Sequence, residues 1–264
     1  MISVKETLYQ QQADIFKDIE SKAILQIQEL NAGQRVQDDI FRIIKNIPGL
    51  QMIKFPVEDE NLTAFTIHKK GIFIFINTNL PLEKQIFGAA HELYHVLFGD
   101  NNAAKEEVLK DIEKPFNGNI DEMKANSFAA CLLVPKYQLE QAIYSLKINV
   151  KNIELIDVIK LMDVFAVPFK AMILRLHEIG VLETTDAERF LAIPDREPKK
   201  GVMLLINQTR HAKRWQEATN EYEYGNFIEV AIKNYTENII SFEQLQGDFN
   251  KIITDEKVET YLEE

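Results

Sequence analysis

The segment Phe87-Gly88-Ala89-Ala90-His91-Glu92-Leu93-Tyr94-His95-Val96-Leu97-Phe98-Gly99 sets two histidines four positions apart within an apolar, helix-like pattern. On a helix, residues i and i+4 share a face, with Cβ atoms about 5–6 Å apart. Two imidazoles so placed can converge on one cation, with Zn–N bonds of about 2.0–2.1 Å. Glu92 lies close to such an ion without having to bind it, and can take a proton from a water that the ion activates. The plain alternative is a pair of surface histidines on an amphipathic helix. It fits poorly, because Ile86, Phe87, Ala90, Leu93 and Leu97 make the surroundings apolar, and burying unpaired imidazoles is costly.

The ends of this helix carry their own signals. Pro81 and Glu83 suit a first turn, and Gly99 suits a stop. Gly88 costs helix stability, which points to a close-packed neighbour. Upstream, 63–68 and 72–77 flank Lys69-Lys70-Gly71 and read as a β-hairpin, with 51–55 a further strand ending at Pro56. A sheet edge beside the histidine helix can hold an extended peptide by strand addition. His68, on a strand, reads as a surface residue. Residues 4–30 and 36–44 read as helices around an Asn31-Ala32-Gly33 break.

Downstream, 101–119 reads as a short helix and loop, followed by helices near 120–134, 136–146, 153–165 and 168–179. The sharpest change in composition is Ile193-Pro194-Asp195-Arg196-Glu197-Pro198-Lys199-Lys200-Gly201, which reads as a linker. Beyond it come a strand-like run at 202–206, a polar segment with Trp215, a helix near 227–235 and an acidic end.

Composition narrows the class. At 264 residues, 46% hydrophobic and 27% charged, the chain reads as an ordinary globular protein with room for more than one domain. A net charge of −11 argues against direct nucleic-acid binding, which needs a basic face, and is compatible with a basic protein partner. The single Cys131 excludes an intramolecular disulfide and a cysteine-rich zinc site. Neither a signal-peptide pattern at the first residues nor a membrane-length apolar run is present, so a cytoplasmic location is expected.

A catalytic zinc site takes three protein ligands and leaves one position open. Glu122 is the best candidate for the third, and Asn126 shares its helix face four positions on. One of the two can bind the metal while the other accepts a hydrogen bond from a ligand histidine. Glu122 also has a plain reading as a solvated acid at a helix start. Zn2+ suits such a set, with Mn2+ or Fe2+ as alternatives. Tyr94, Tyr137 and His177 are candidate oxyanion stabilisers, each more simply read as structural.

Gly88-Ala89-Ala90-His91-Glu92-Leu93-Tyr94-His95, then Glu122-x-x-Ala125-Asn126-x-Phe128-Ala129-Ala130-x-Leu132-Leu133-x-Pro135, resembles the ImmA/IrrE family of bacterial and phage metallopeptidases. The run from Asp163 to Pro168, through Arg175-Leu176 to Ile179-Gly180, resembles the region that follows the site in that family. The resemblance spans about 63–182. It implies His91, His95 and Glu122 as metal ligands and Glu92 as general base. It also implies a repressor- or antitoxin-type DNA-binding protein as substrate, and a setting in transcription regulation on a phage or mobile element. Thermolysin-like zincins carry a helix acid four residues after the ligand glutamate; this chain has Asn126 there.

The fold expected is α+β: a predominantly helical zincin-like domain with a small β-sheet before the active-site helix, plus a C-terminal extension. Residues 1–48 read as an N-terminal helical segment, 49–192 as the metallopeptidase domain and 193–264 as the extension. Two rival functions are a non-catalytic metal-binding interaction protein and a helix-turn-helix regulator built on 156–182. Against the second, the would-be recognition helix, 169–176, is mostly apolar. Arg210-His211-Lys213-Arg214 with Trp215 reads as a solvated charged face, or as a contact to nucleic acid or an acidic peptide.

Overall fold

The computed structural model describes residues 4–29, 36–59, 61–68, 71–99, 108–110, 120–197, 199–208 and 212–249. The break at Asn31–Gly33, Lys69-Lys70 of the hairpin turn, most of 101–119, Arg210-His211 and the end from 250 lie outside them. Two helices open the chain, α1 (Val4–Glu29) and α2 (Asp39–Lys45). The strands β1 (Leu50–Phe55), β2 (Leu62–His68) and β3 (Ile72–Asn77) precede α3 (Leu82–Phe98), the helix of the histidine motif. After β4 (Val108–Lys110), the chain is helical: α4 (Ile120–Leu133), α5 (Lys136–Ser145), α6 (Leu155–Phe165), α7 (Phe169–Glu178) and α8 (Thr184–Leu191). Then come α9 (Gly201–Ile206), α10 (Ala212–Gln216), α11 (Phe227–Thr236) and α12 (Phe242–Phe249). The fold is α+β, predominantly helical, with the small sheet ahead of the histidine helix.

The sheet order is β1-β3-β2-β4. β2 and β3 form the expected hairpin, with Ala64 opposite Ile76 and Thr66 opposite Ile74. β1 joins β3 in parallel, Met52 beside Ile74, and β4 pairs antiparallel with β2. Where a helix and loop were expected in 101–119, the described part is therefore a strand; three residues supply too little periodicity to announce one. His68 is exposed, as its strand position suggested.

Two contacts seat α3. On the sheet side, a Cβ at Gly88 would lie 2.8 Å from Thr63 Cγ2 and 3.2 Å from Ala64 Cβ, so the missing side chain is what lets β2 approach. On the other side, Phe128 of α4 packs its ring against Tyr94 and Phe98 at 5.7 and 5.6 Å. At the helix end, a Cβ on Gly99 would stand 2.3 Å from the His95 carbonyl oxygen. Close approach, not a left-handed backbone, demands glycine there.

Behind α4, Ile19 and Ala23 of α1 are fully buried. Arg175 of α7, also fully buried, gives Nε to the Val134 carbonyl at 2.9 Å and Nη2 to Glu20 at 2.8 Å. Cys131 is buried nearby, and burial, opposed by the charge of Arg175, pushes its thiol up to about 12; it stays protonated and is no nucleophile. Phe169, Met172, Ile173 and Leu176 of α7 are core residues, so the face that a recognition helix would present is spent on packing.

Contacts divide the chain into units at 1–222 and 223–264. The stretch 193–201 thus lies inside the first unit, whose core takes in Val202, Met203, Ile206 and Trp215. Residues 202–206 form part of a helix, not a strand: Val202, Met203 and Ile206 are buried while Leu204 is 47% exposed, the 3.6-residue period that so short an apolar run disguises. Trp215 is likewise core rather than a stacking platform. The second unit is a helix pair, α11 and α12, closed over Ala231, Leu245 and Phe249. Among the described residues, no helix is long and apolar enough to cross a membrane.

Substituting Gly88 weighs two opposed terms. Alanine returns about 1 kcal/mol of helix propensity, whereas overpacking a tight contact costs about 1–3 kcal/mol. Because the atom met is on a short, buried, β-branched side chain, Gly88→Ala is expected to lose about 1 kcal/mol net. A lowered denaturation midpoint in urea supports this; a raised one contradicts it.

Candidate metal centre

α3 runs between the sheet and α4, so its two buried sides have different neighbours. Gly88 and Glu92, one turn apart, turn to β2; His91 and His95, also one turn apart, turn to α4. Ala125 and Ala129 of α4, both fully buried, keep the second approach short. Glu122, in the first turn of α4, meets both histidines: Oε2 is 3.1 Å from His91 Nε2 and Oε1 is 3.3 Å from His95 Nε2. The two Nε2 atoms are 3.1 Å apart. Ligand atoms from the three residues all lie within 4.8 Å of one another.

This set fits a metal ion. Tetrahedral ligands at about 2.0–2.1 Å stand roughly 3.3–3.4 Å apart, close to the gap between the two Nε2 atoms and to the gap from each to its nearer Glu122 oxygen. Asn126 Oδ1 lies 2.9 Å from His91 Nδ1. It accepts the Nδ1 proton and so turns the Nε2 lone pair of the neutral ring inward. Lone pairs and a carboxylate facing one another repel unless a cation stands between them. Without a cation, protons on the two Nε2 atoms play that part instead: burial acts to raise the Glu122 carboxyl, but hydrogen bonds and charge from His91 and His95 outweigh it and hold the group below its ordinary value.

Glu92 is 1% exposed and takes a hydrogen bond from Thr66 Oγ1 to Oε2 at 2.7 Å. Burial lifts its carboxyl above the usual range, against the pull of His91, His95 and Thr66. Sequence reasoning overlooked Thr66. The available signal was a polar residue on the inward alternation of β2, two positions from the buried Ala64.

Of the three candidate oxyanion groups, Tyr94 touches the cluster through its ring, and the contacts shown for Tyr137 and His177 are local ones. Tyr94 is buried, its ring stacked edge-on to His95 at 5.7 Å and packed on Phe98 and Phe128. Burial, with Asp121 and Asp18 adding to it, pushes its hydroxyl up to about 12. Tyr137 is 69% exposed on α5 and accepts a bond from Gln141 Nε2 at 2.7 Å. His177 Nδ1 lies 2.9 Å from the Leu182 carbonyl, closing the end of α7.

Two imidazoles and a carboxylate thus converge beside a buried glutamate on a zincin-like fold, a set that could hold a metal ion. Residues 46–177 match the Peptidase_M78 family, described as the IrrE N-terminal-like domain, and the chain belongs to that family. No curated protein matches the chain.

The Asn126 contact has a measurable consequence. Asn126→Leu keeps the side-chain volume but removes the acceptor that orients His91, and is expected to weaken zinc binding by about 10–100-fold. Competition against a chromogenic chelator checks it, with unchanged affinity as the contradicting result.

Proposed function

We propose that the protein is a zinc-dependent endopeptidase that hydrolyses a peptide bond in a protein substrate, with Glu92 as general base. One observation carries the reading: a buried, hydrogen-bonded glutamate one residue from His91, on the helix that delivers two of three converging ligand atoms. Zinc held by His91, His95 and Glu122 would supply a Lewis acid that polarises the scissile carbonyl and makes water acidic enough to ionise near neutral pH.

The rest falls to the chain's own side chains. Glu92 takes the proton of the attacking water and returns it to the departing amine. Its buried setting raises its proton affinity, while Thr66 holds Oε2 and leaves Oε1 to carry the proton. Asn126 keeps His91 in the tautomer whose Nε2 faces inward. Among Tyr94, Tyr137 and His177, the geometry favours none as oxyanion donor.

The family resemblance supports a repressor- or antitoxin-type DNA-binding protein as the substrate, in the cytoplasm. The net charge of −11 suits a partner with a basic face. The non-catalytic alternative leaves the placement of Glu92 and Thr66 without a purpose.

Glu92→Gln separates the readings. It is expected to retain zinc, about one per chain as in the unsubstituted protein, and to lose at least about 100-fold in cleavage. The measurement is mass spectrometry of small repressor-type proteins incubated with each zinc-loaded variant. Equal cleavage by both removes Glu92 as the base; no cleavage of any candidate by the unsubstituted chain favours the interaction protein.

A further inference from the structure

The family match ends at residue 177, yet the start of α3 is held by residues well beyond it. α3 has Pro81 at its N-cap and no side-chain cap. In place of a cap, Arg196 and residues 218–221 lie against this end of the helix. Arg196 Nη1 donates to Glu83 Oε1 at 3.0 Å. Ala218 bridges Pro81 antiparallel, and Gln85 Nε2 donates to Thr219 Oγ1 at 3.0 Å and to the Leu80 carbonyl at 2.7 Å. Asn220 N–H donates to the Thr78 carbonyl at 2.9 Å, and Thr78 Oγ1 donates to the Glu221 carbonyl at 2.8 Å.

The two side chains of α3 that receive this stretch are unusual for a first helical turn. Glu83 and Gln85 are both fully buried, where solvated residues are the rule. Glu83 Oε2 has no hydrogen-bond partner among the described residues. Glu83 borders a small cavity lined mainly by Met162, Phe169, Met203, Ile206 and Trp215, with Asp195 and Arg196 also on its wall. Burying a carboxylate against so apolar a wall is costly unless a cation pairs with it. Arg196 is the cation bonded to it.

We propose that Arg196, acting through Glu83, and Thr219, acting through Gln85, are positioning residues for the reaction: they set the tilt of α3 and so the placing of His91, Glu92 and His95. This rests on the metal reading of α3. The leverage follows from helix geometry. With the tight Gly88 contact as fulcrum, Glu83 lies about 7.5 Å to one side and His95 about 10.5 Å to the other, so a 1 Å shift at Glu83 moves His95 by about 1.4 Å. Metal ligands tolerate about 0.5 Å. The family domain is thus completed by a strap from outside its matched span, and the chain leads from that strap directly into the second unit.

The test uses the full chain and zinc alone, with affinity read by chelator competition and the unfolding midpoint recorded beside it. Arg196→Ala is expected to weaken zinc binding at least about tenfold, and Arg196→Lys to stay near the unsubstituted value. In a Glu83→Gln background the Arg196→Ala effect should largely vanish, because the group it acts through is gone. Thr219→Val should shift affinity in the same direction, and it decides the matter if Arg196→Ala does not fold. Unchanged zinc affinity in folded Arg196→Ala and in Thr219→Val, whatever their midpoints, overturns the proposal. A full Arg196→Ala effect persisting in the Glu83→Gln background overturns the route through Glu83. Failure of the unsubstituted chain to bind zinc is a different result: it contradicts the metal reading and removes the proposal with it.

Discussion

A polar motif has been driven into an apolar core, and this constraint shapes the first unit. His91 is fully buried and Glu92 almost so, on a helix closed in by a sheet on one side and a second helix on the other. Unpaired, these groups would cost several kcal/mol each, so their neighbours must answer them. Thr66 answers Glu92 from β2, and Glu122 and Asn126 answer the histidines from α4. Gly88, Ala125 and Ala129 give up side-chain volume so that these partners come within reach.

The electrostatics of the cluster is asymmetric. A carboxylate held below its ordinary range stands within 3.3 Å of two imidazole nitrogens, while a second carboxyl close by is pushed above it. Carboxyls set apart in this way have different tasks. On the proposed reading, Glu122 serves as the anion that binds the cation and Glu92 as the group that takes up the proton. Structural ion pairs also displace pKa values, but they do not require two imidazole Nε2 atoms turned toward each other.

What could be read from the sequence was whatever repeats at short range. The i, i+4 histidines, the hairpin around Lys69-Lys70-Gly71 and the Glu122/Asn126 face are all local patterns, and the structure places each of them as spaced. Residues whose meaning depends on distant partners were illegible. Glu83 looks like any first-turn acid, but it is fully buried because Arg196, 113 positions away, reaches it. Thr66 looks like an ordinary strand threonine until Glu92 folds against it. The run 202–206 was too short for its period to show, and the proline- and lysine-rich 193–201, which lies inside the first unit, read as a linker between domains.

If His91, His95 and Glu122 share one ion, X-ray absorption at the zinc edge of the zinc-loaded chain reads it in the ion's own coordination shell. The expected result is a four-coordinate shell of nitrogen and oxygen at about 2.0–2.1 Å, with outer-shell scattering from two imidazoles. A shell of oxygens alone, without imidazole scattering, would contradict it.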